Sequence, residues 1–321
     1  LGVPSEAYNL NVPSIGVAEL AGSQTVMRFL TNVTDDPIEV TASVEAPEGY
    51  SVTVNPSNLT IDSFDRVMFE VTIVNESAPL DEWRFGSLTW VDSDEMYEAY
   101  SPIAVKATLI GIPGELFAAP GADGSGSFDV SFGYNGSYSA AAHGLVAATV
   151  TSDNVVQDPD QEFDPDDGFS NRHDFDVSDG ALLRFAMPPE ATETDADLDL
   201  YLYDPNGELV ATSTAGGTNE MIDIVLPEDG TWSLYVHGWS APGGDSDYDL
   251  YSWVVPLTPG GSLSVDAAPA EAVLAATGAV DFSWMGASAE WYLGAISHAG
   301  AEGEDDPALL GLTLINMDNR P

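Results

Sequence analysis

Val67-Met68-Phe69-Glu70-Val71-Thr72-Ile73 is the stretch that decides the fold class. Phe69, Val71 and Ile73 fall on one side of an extended chain and Glu70 and Thr72 on the other, the period of two that a half-buried strand requires. Outward from it, Thr25-Val26-Met27-Arg28-Phe29-Leu30, Ser51-Val52-Thr53-Val54 and Ile103-Ala104-Val105-Lys106-Ala107 are also short and rich in β-branched or aromatic residues. Pro, Gly, Asn and Asp separate such runs at intervals typical of β-sandwiches. Residues 266–276 are Ala-rich enough to suggest a helix, but Pro269 and the shortness of the stretch argue against one. The expected class is all-β, as tandem β-sandwiches.

At 321 residues the chain is longer than one domain of about 100 to 150 residues, which suggests two or three. A hydrophobic fraction of 44% is enough to build cores, so this is a folding chain and not a disordered one. Against 53 Asp and Glu stand 7 Lys and Arg, a formal net charge of -46, and Lys106 is the sole lysine. Such a surface repels phosphates, which argues against nucleic acid and anionic membranes as partners. The carboxylates also repel one another, so the fold gains from bound cations or from salt, which screens over about 8 Å at physiological ionic strength. A solvated surface suited to a saline medium and local carboxylate clusters that ligate metal are both compatible with this charge. Without cysteine there is no disulfide framework and no thiolate zinc site. No apolar run reaches the roughly 18 residues of a membrane span. Beginning at Leu1 without a signal peptide and ending at Arg320-Pro321, the chain reads as a piece of something larger.

The first unit runs through residues 1–111 to a Gly/Pro junction, Leu109-Ile110-Gly111-Ile112-Pro113-Gly114. Its phrases are Asn11-Val12-Pro13-Ser14-Ile15, Arg28-Phe29-Leu30-Thr31-Asn32-Val33, Ala46-Pro47-Glu48-Gly49-Tyr50-Ser51-Val52-Thr53-Val54-Asn55-Pro56, Phe85-Gly86-Ser87-Leu88-Thr89-Trp90 and Tyr100-Ser101-Pro102-Ile103-Ala104-Val105. In order and spacing these resemble the fibronectin type III-like domain that follows the catalytic domain of many subtilisin-like serine proteases. Their own physics is structural: Pro47 and Gly49 make a turn, Pro56 ends a strand, and Trp90 is large enough to anchor a core.

The second unit, residues 171–256, centres on Asp195-Ala196-Asp197-Leu198-Asp199-Leu200-Tyr201-Leu202-Tyr203-Asp204-Pro205-Asn206-Gly207. Glu220, Gly230-Thr231-Trp232-Ser233-Leu234-Tyr235-Val236-His237-Gly238 and Asp245-Ser246-Asp247-Tyr248-Asp249-Leu250 follow. This pattern is similar to the bacterial pre-peptidase C-terminal domain, a jelly roll appended to secreted peptidases. Of the flanking stretches, Gly126-Ser127-Phe128-Asp129-Val130-Ser131-Phe132 echoes Gly278-Ala279-Val280-Asp281-Phe282-Ser283-Trp284. Neither flank alone supports a comfortable core. Residues 112–170 and 257–321 are therefore expected to form one discontinuous sandwich into which the jelly roll is inserted, with a serial array of small domains as the alternative.

A subtilase active site needs Asp, His and Ser, with the serine in a Gly-Thr-Ser-Met-Ala-like phrase. That phrase is absent, and His143, His173, His237 and His298 read as surface or strand residues. Carboxylate pairs about 5 to 10 Å apart could serve glycoside hydrolysis, but among 53 acids no pair is marked out. Calcium is the better use, since it takes roughly six to eight oxygen ligands and alternate strand residues project to one side about 6 to 7 Å apart. Asp195, Asp197 and Asp199 have that arrangement, and Asp245, Asp247 and Asp249 repeat it. The resemblance implies calcium near the strand start and the late acidic loop, which selects Asp197, Asp199, Glu220, Asp247 and Asp249; a solvated acidic face is the open alternative. Residues 158–168, the most acidic run, read as an exposed loop or as a second cation site. Among the late aromatics, Trp239 is the one expected to be exposed.

The resemblance implies the non-catalytic accessory region of a secreted subtilisin-like endopeptidase. It would pack on the catalytic domain of its parent chain and stabilise or orient it, with contact to a protein or polysaccharide substrate also open. A free-standing extracellular adhesin or polymer-binding protein is the alternative.

Overall fold

Alternating apolar residues turn one face of many of the long strands into a core, while Gly180–Met187 is buried along its whole length. The structure is a computed structural model that describes residues 7–302 and 307–321. Its regular structure is strand, and the helical pieces among the described residues are the three-residue 3-10 turns Ala7–Asn9 and Pro189–Ala191. Where the Ala-rich stretch tempted a helix, Pro269 separates the strands Leu263–Ala267 and Glu271–Ala272.

In the first sandwich the deciding strand, Arg66–Asn75, lies between Ser23–Thr31 and Tyr50–Asn55. Phe69, Val71 and Ile73 are buried against a five-stranded sheet of Ile15–Leu20, Glu98–Ala107, Trp83–Asp92, Ile38–Glu45 and Asn58–Ile61. Trp90, 2% exposed, meets Phe69 edge-on at 5.0 Å. Ile15–Leu20 pairs in parallel with Glu98–Ala107, starting at Ile15 opposite Ile103.

A second core draws on residues from both ends of the remaining chain. Gly124–Phe132 pairs antiparallel with Thr277–Trp284, so the two echoing phrases are neighbours, with Gly126 opposite Phe282. A Cβ on Gly126 would stand 2.5 Å from the Phe282 ring, which explains the glycine there. In the facing sheet Gly136–Ala147 pairs with Trp291–Glu302.

Between these halves the sheets Thr149–Val156, Asp245–Pro256, Gly180–Met187, Glu220–Val225 and Ser170–Val177, Gly230–Ser240, Asp197–Tyr203, Leu209–Ser213 enclose a third core. Thr149–Val156, within the stretch 112–170, pairs along its length with Asp245–Pro256 in this jelly-roll sheet. The second and third sandwiches share an apolar seam in which Leu182, Trp253 and Val255 meet Leu293, Ala295 and Leu314. At its edge Arg184, 1% exposed, donates to Glu115 and Asp223, each at 2.6 Å. Burial disfavours this guanidinium, but the two carboxylates outweigh burial and hold its pKa above the ordinary arginine value.

Candidate functional site

Along Asp197–Tyr203 the leucines 198, 200 and 202 enter the jelly-roll core, so Asp197, Asp199 and Tyr201 turn to the opposite face. Asp199 is nevertheless only 5% exposed, because the acidic run starting at Asp158 folds back over that face. Phe163 stacks on Tyr201 with ring centroids 3.8 Å apart and meets His237 edge-on at 5.7 Å. The Asp158 N–H donates to the Gly238 carbonyl at 2.7 Å. Gly238 is needed for this approach, since a Cβ there would stand 2.4 Å from the Val156 carbonyl oxygen.

The strap closes a buried charge cluster. His237, opposite Asp199 in the sheet, is fully buried, and its Nε2 donates to Asp158 Oδ2 at 2.9 Å. Asp199 Oδ2 lies 3.7 Å from His237 Nδ1, beyond hydrogen-bond reach, so it acts on the ring as a charge. Burial disfavours the imidazolium, but Asp199 and Asp158 outweigh it and raise the pKa of His237. Burial likewise works against the Asp158 carboxylate, and His237 overcomes it to hold that carboxyl below its usual range. Burial and the Asp199 charge push the Tyr201 hydroxyl up to about 12.

Glu220 opens the strand Glu220–Val225 and is 1% exposed. Its Oε2 accepts from the Ser213 hydroxyl, and its Oε1 has no hydrogen-bond partner among the described residues. Burial, against the help of Ser213 and with the charges of Asp199 and Asp197, pushes Glu220 up. Asp197 accepts from the Gly217 N–H at 3.1 Å and is also pushed up, by burial and then by Asp199. An orphaned carboxylate oxygen beside two further acids is chemically suited to a hard cation with oxygen ligands. Among the described residues, however, no three His, Asp or Glu side chains converge so as to hold a metal ion.

The structure places Asp247 and Asp249 elsewhere. On Asp245–Pro256 Tyr248 and Leu250 turn into the core, which sends the two acids to the outer face. There Asp247 accepts from Asn154 Nδ2 at 2.8 Å and Asp249 from the Ser152 hydroxyl at 2.5 Å. They line an open cleft of about 650 Å³ with Asp153, Glu190 and Glu193.

Sequence reasoning missed Asp158 and His237 as members of the cluster. Period-two alternation places His237 opposite the core-facing Leu234 and Val236, a face that is solvent unless something covers it, and no local signal announces the strap. His143 and His298 are also buried and not at the surface, with His298 between Tyr138 and Thr313 and pushed down by burial to about 4. Trp239 is 38% exposed, whereas Tyr248, Trp253 and Trp284 are core residues.

Comparison with known proteins gives two domain matches. Residues 9–105 match the family described as fibronectin type-III domain, and residues 169–238 match the bacterial pre-peptidase C-terminal domain. Among curated proteins, subtilisin-like serine-protease S of Lotus japonicus is 38% identical over 104 residues, 32% of this chain and 13% of that protein. The CO(2)-response secreted protease of Arabidopsis thaliana is 38% identical over 101 residues, 30% of this chain and 13% of that protein. This chain thus spans about an eighth of the length of these two plant relatives. Among solved structures, the pre-peptidase C-terminal domain of a collagenase from Bacillus anthracis aligns at 15% identity and a TM-score of 0.26, covering 33% of this chain and 90% of that one.

Proposed function

We propose that this chain, which joins a fibronectin type-III domain to a pre-peptidase C-terminal domain, is the non-catalytic accessory region of a secreted subtilisin-like serine endopeptidase. The observation that carries this reading is the likeness of the first domain to subtilisin-like proteases, 38% over about a hundred residues. The first sandwich acts on the catalytic domain of the same parent chain, stabilising or orienting it. The jelly roll spans 149–256, and residues 112–148 and 257–321 form one sandwich around it, a division supported by the pairing of Gly124–Phe132 with Thr277–Trp284. Calcium, in this reading, is drawn to Asp197, Asp199 and Glu220, where it would neutralise the orphaned Glu220 oxygen; Asp247 and Asp249 belong to the separate cleft.

The test is active-site labelling with a fluorophosphonate, which reacts with activated serines. The intact secreted parent is expected to label and to cleave casein, and the 321-residue chain to do neither. Labelling of the isolated chain would overturn the accessory reading.

A further inference from the structure

The first sandwich has an open strand edge beside an apolar groove. Glu98–Ala107 pairs with Trp83–Asp92 along one side, but on its other side Ile15–Leu20 reaches only from Ile103 onward. Among the described residues no strand pairs with that side of Glu98, Ala99, Tyr100 or Ser101, and the first three are exposed. The reason lies in the segment before Ile15. Pro13 has no N–H to give, and the Ser14 carbonyl accepts from Arg28 at 3.1 Å. Asn9 Oδ1 and Asn11 Oδ1 accept from the Met27 and Phe29 N–H groups at 3.0 and 2.8 Å. The segment is therefore committed to the opposite sheet: Asn11, Val12 and Pro13 wall the groove beside Tyr100 but leave the edge without a strand partner.

Two cavities of about 400 and 250 Å³ run along this edge and share Leu30, Trp90 and Ala99. The Trp90 indole N–H has no partner among the described residues although the side chain is 2% exposed. At one end Val33 and Met96 are 77% and 73% exposed, and at the other stands Tyr100 at 57%. Exposed apolar side chains gathered along one groove and rimmed by polar residues mark interaction sites. The turns beside them carry exposed Asp35, Asp36, Asp94 and Glu95 and no cation, and Glu98 starts the strand; Arg28, which lines the smaller cavity, is buried and turned to the carbonyls of Tyr8, Met27 and Ser14. Pro102 bounds the edge at its far end, since it has no N–H to offer.

We propose that this edge receives an extended segment of a partner polypeptide that pairs with Glu98–Ser101, seats apolar side chains over Leu30 and Trp90, and carries Lys or Arg toward the acidic turns. Main-chain pairing supplies affinity and alternate side chains supply selection, as in other strand-addition sites. A second copy of this chain is disfavoured as the occupant, because it would bring another net charge of -46 to an acidic rim. The proposal goes beyond the accessory reading and stands or falls separately from it, since its readout is binding and not proteolysis.

The probe is the peptide acetyl-Lys-Val-Lys-Phe-Lys-Val-Lys-amide, titrated into the ¹⁵N-labelled 321-residue chain in KCl, with NMR reporting the Glu98–Ser101 amides and the Trp90 indole. Saturable shifts at these positions are expected. Binding should weaken by about tenfold for the analogue with Glu in place of Lys, and similarly for a peptide N-methylated at alternate residues so that it cannot form a ladder. Met96→Asp, at an exposed position that leaves the core intact, should weaken it as well. Shifts that map elsewhere, equal binding of the N-methylated or acidic peptides, no binding at all, or dimerisation of the chain through this edge would each overturn the proposal.

Discussion

In the fibronectin-type sandwich, buried polar side chains are spent on backbone. Arg28 donates to the carbonyls of Tyr8, Met27 and Ser14, Asn32 donates to those of Asp36 and Ile61, and Asp92 accepts from the Tyr97 N–H. In the jelly roll, Asp158, His237 and Asp199 are buried against one another, and Glu220, also buried, feels the charges of Asp199 and Asp197. Backbone partners carry no net charge and do not titrate, so none of the buried groups in this first arrangement depends on a charged neighbour. The second is a set of mutually dependent charges whose stability is conditional. The two units therefore respond differently to the same perturbations, and each prediction below tests that difference.

The largest effect is expected from Trp90→Ala. Removing a fully buried indole leaves a cavity against Phe69, costing about 3–5 kcal/mol. Denaturant unfolding followed by calorimetry should show the loss confined to the transition of the first sandwich. A matching loss in the jelly-roll transition would mean that the two units are not independent.

Arg184→Leu comes next, at about 3 kcal/mol, because it leaves Glu115 and Asp223 facing each other without their cation. The loss should appear in the transition that contains the jelly roll and its seam, with that of the first sandwich unchanged. The Arg184→Leu/Glu115→Leu/Asp223→Leu triple variant should recover much of it, since an apolar replacement removes the stranded charges as well.

Calcium and pH test the conditional half directly. Calcium at 100 times its Kd should stabilise the jelly roll by about 2.7 kcal/mol, whereas NaCl at matched ionic strength should not. Glu220 and Asp197 are raised in the folded state, so their contribution is fully present below the unfolded carboxylate range and is lost as pH rises through the folded values. His237, also raised, loses its contribution as pH climbs past its folded value. Without divalent cations the jelly-roll Tm should therefore rise as pH is lowered from about 7 to about 5. Asp158 is shifted the other way, and its contribution is lost only as pH falls further, below the usual carboxylate range. The calcium increment should shrink over the same descent, and Glu220→Gln should flatten both trends. Equal responses to calcium and NaCl would mean that the cluster does not bind calcium.

How much of this was legible in sequence follows from the same contrast. Phe69, Val71 and Ile73 announced their strand because burial alternates locally, and the echoing phrases that begin at Gly126 and Gly278 hinted at the two neighbouring strands in which they lie. Asp197 and Asp199 stood out because their carboxylates alternate with core leucines. Asp247 and Asp249 repeat that spacing, yet their strand presents them on the outer face of the other sheet, and spacing along one strand carries no information about which sheet it joins. The place of Thr149–Val156 is hidden in sequence for the same reason: its partner, Asp245–Pro256, lies far along the chain. The burial of His237 depends on a strap whose sequence, by composition alone, is that of a solvated loop.

Phe163 is what makes that strap a lid, and Phe163→Ala is the smallest and most specific perturbation. Losing the stack on Tyr201 should cost about 1 kcal/mol, too little to unfold the jelly roll. Water should then reach Asp158 and His237, weakening both the burial that disfavours the imidazolium and the attraction that favours it. Because attraction prevails in the closed arrangement, the net movement of the His237 pKa should be downward, toward its ordinary value. With 4 histidines in the chain, each imidazole can be followed separately by NMR titration. A fall at His237 with no change at His298, which lies in another core, would show that the strap sets the electrostatics of the cluster. An unchanged His237 would mean that the sheet alone holds the charges together and that the acidic strap is cover without influence.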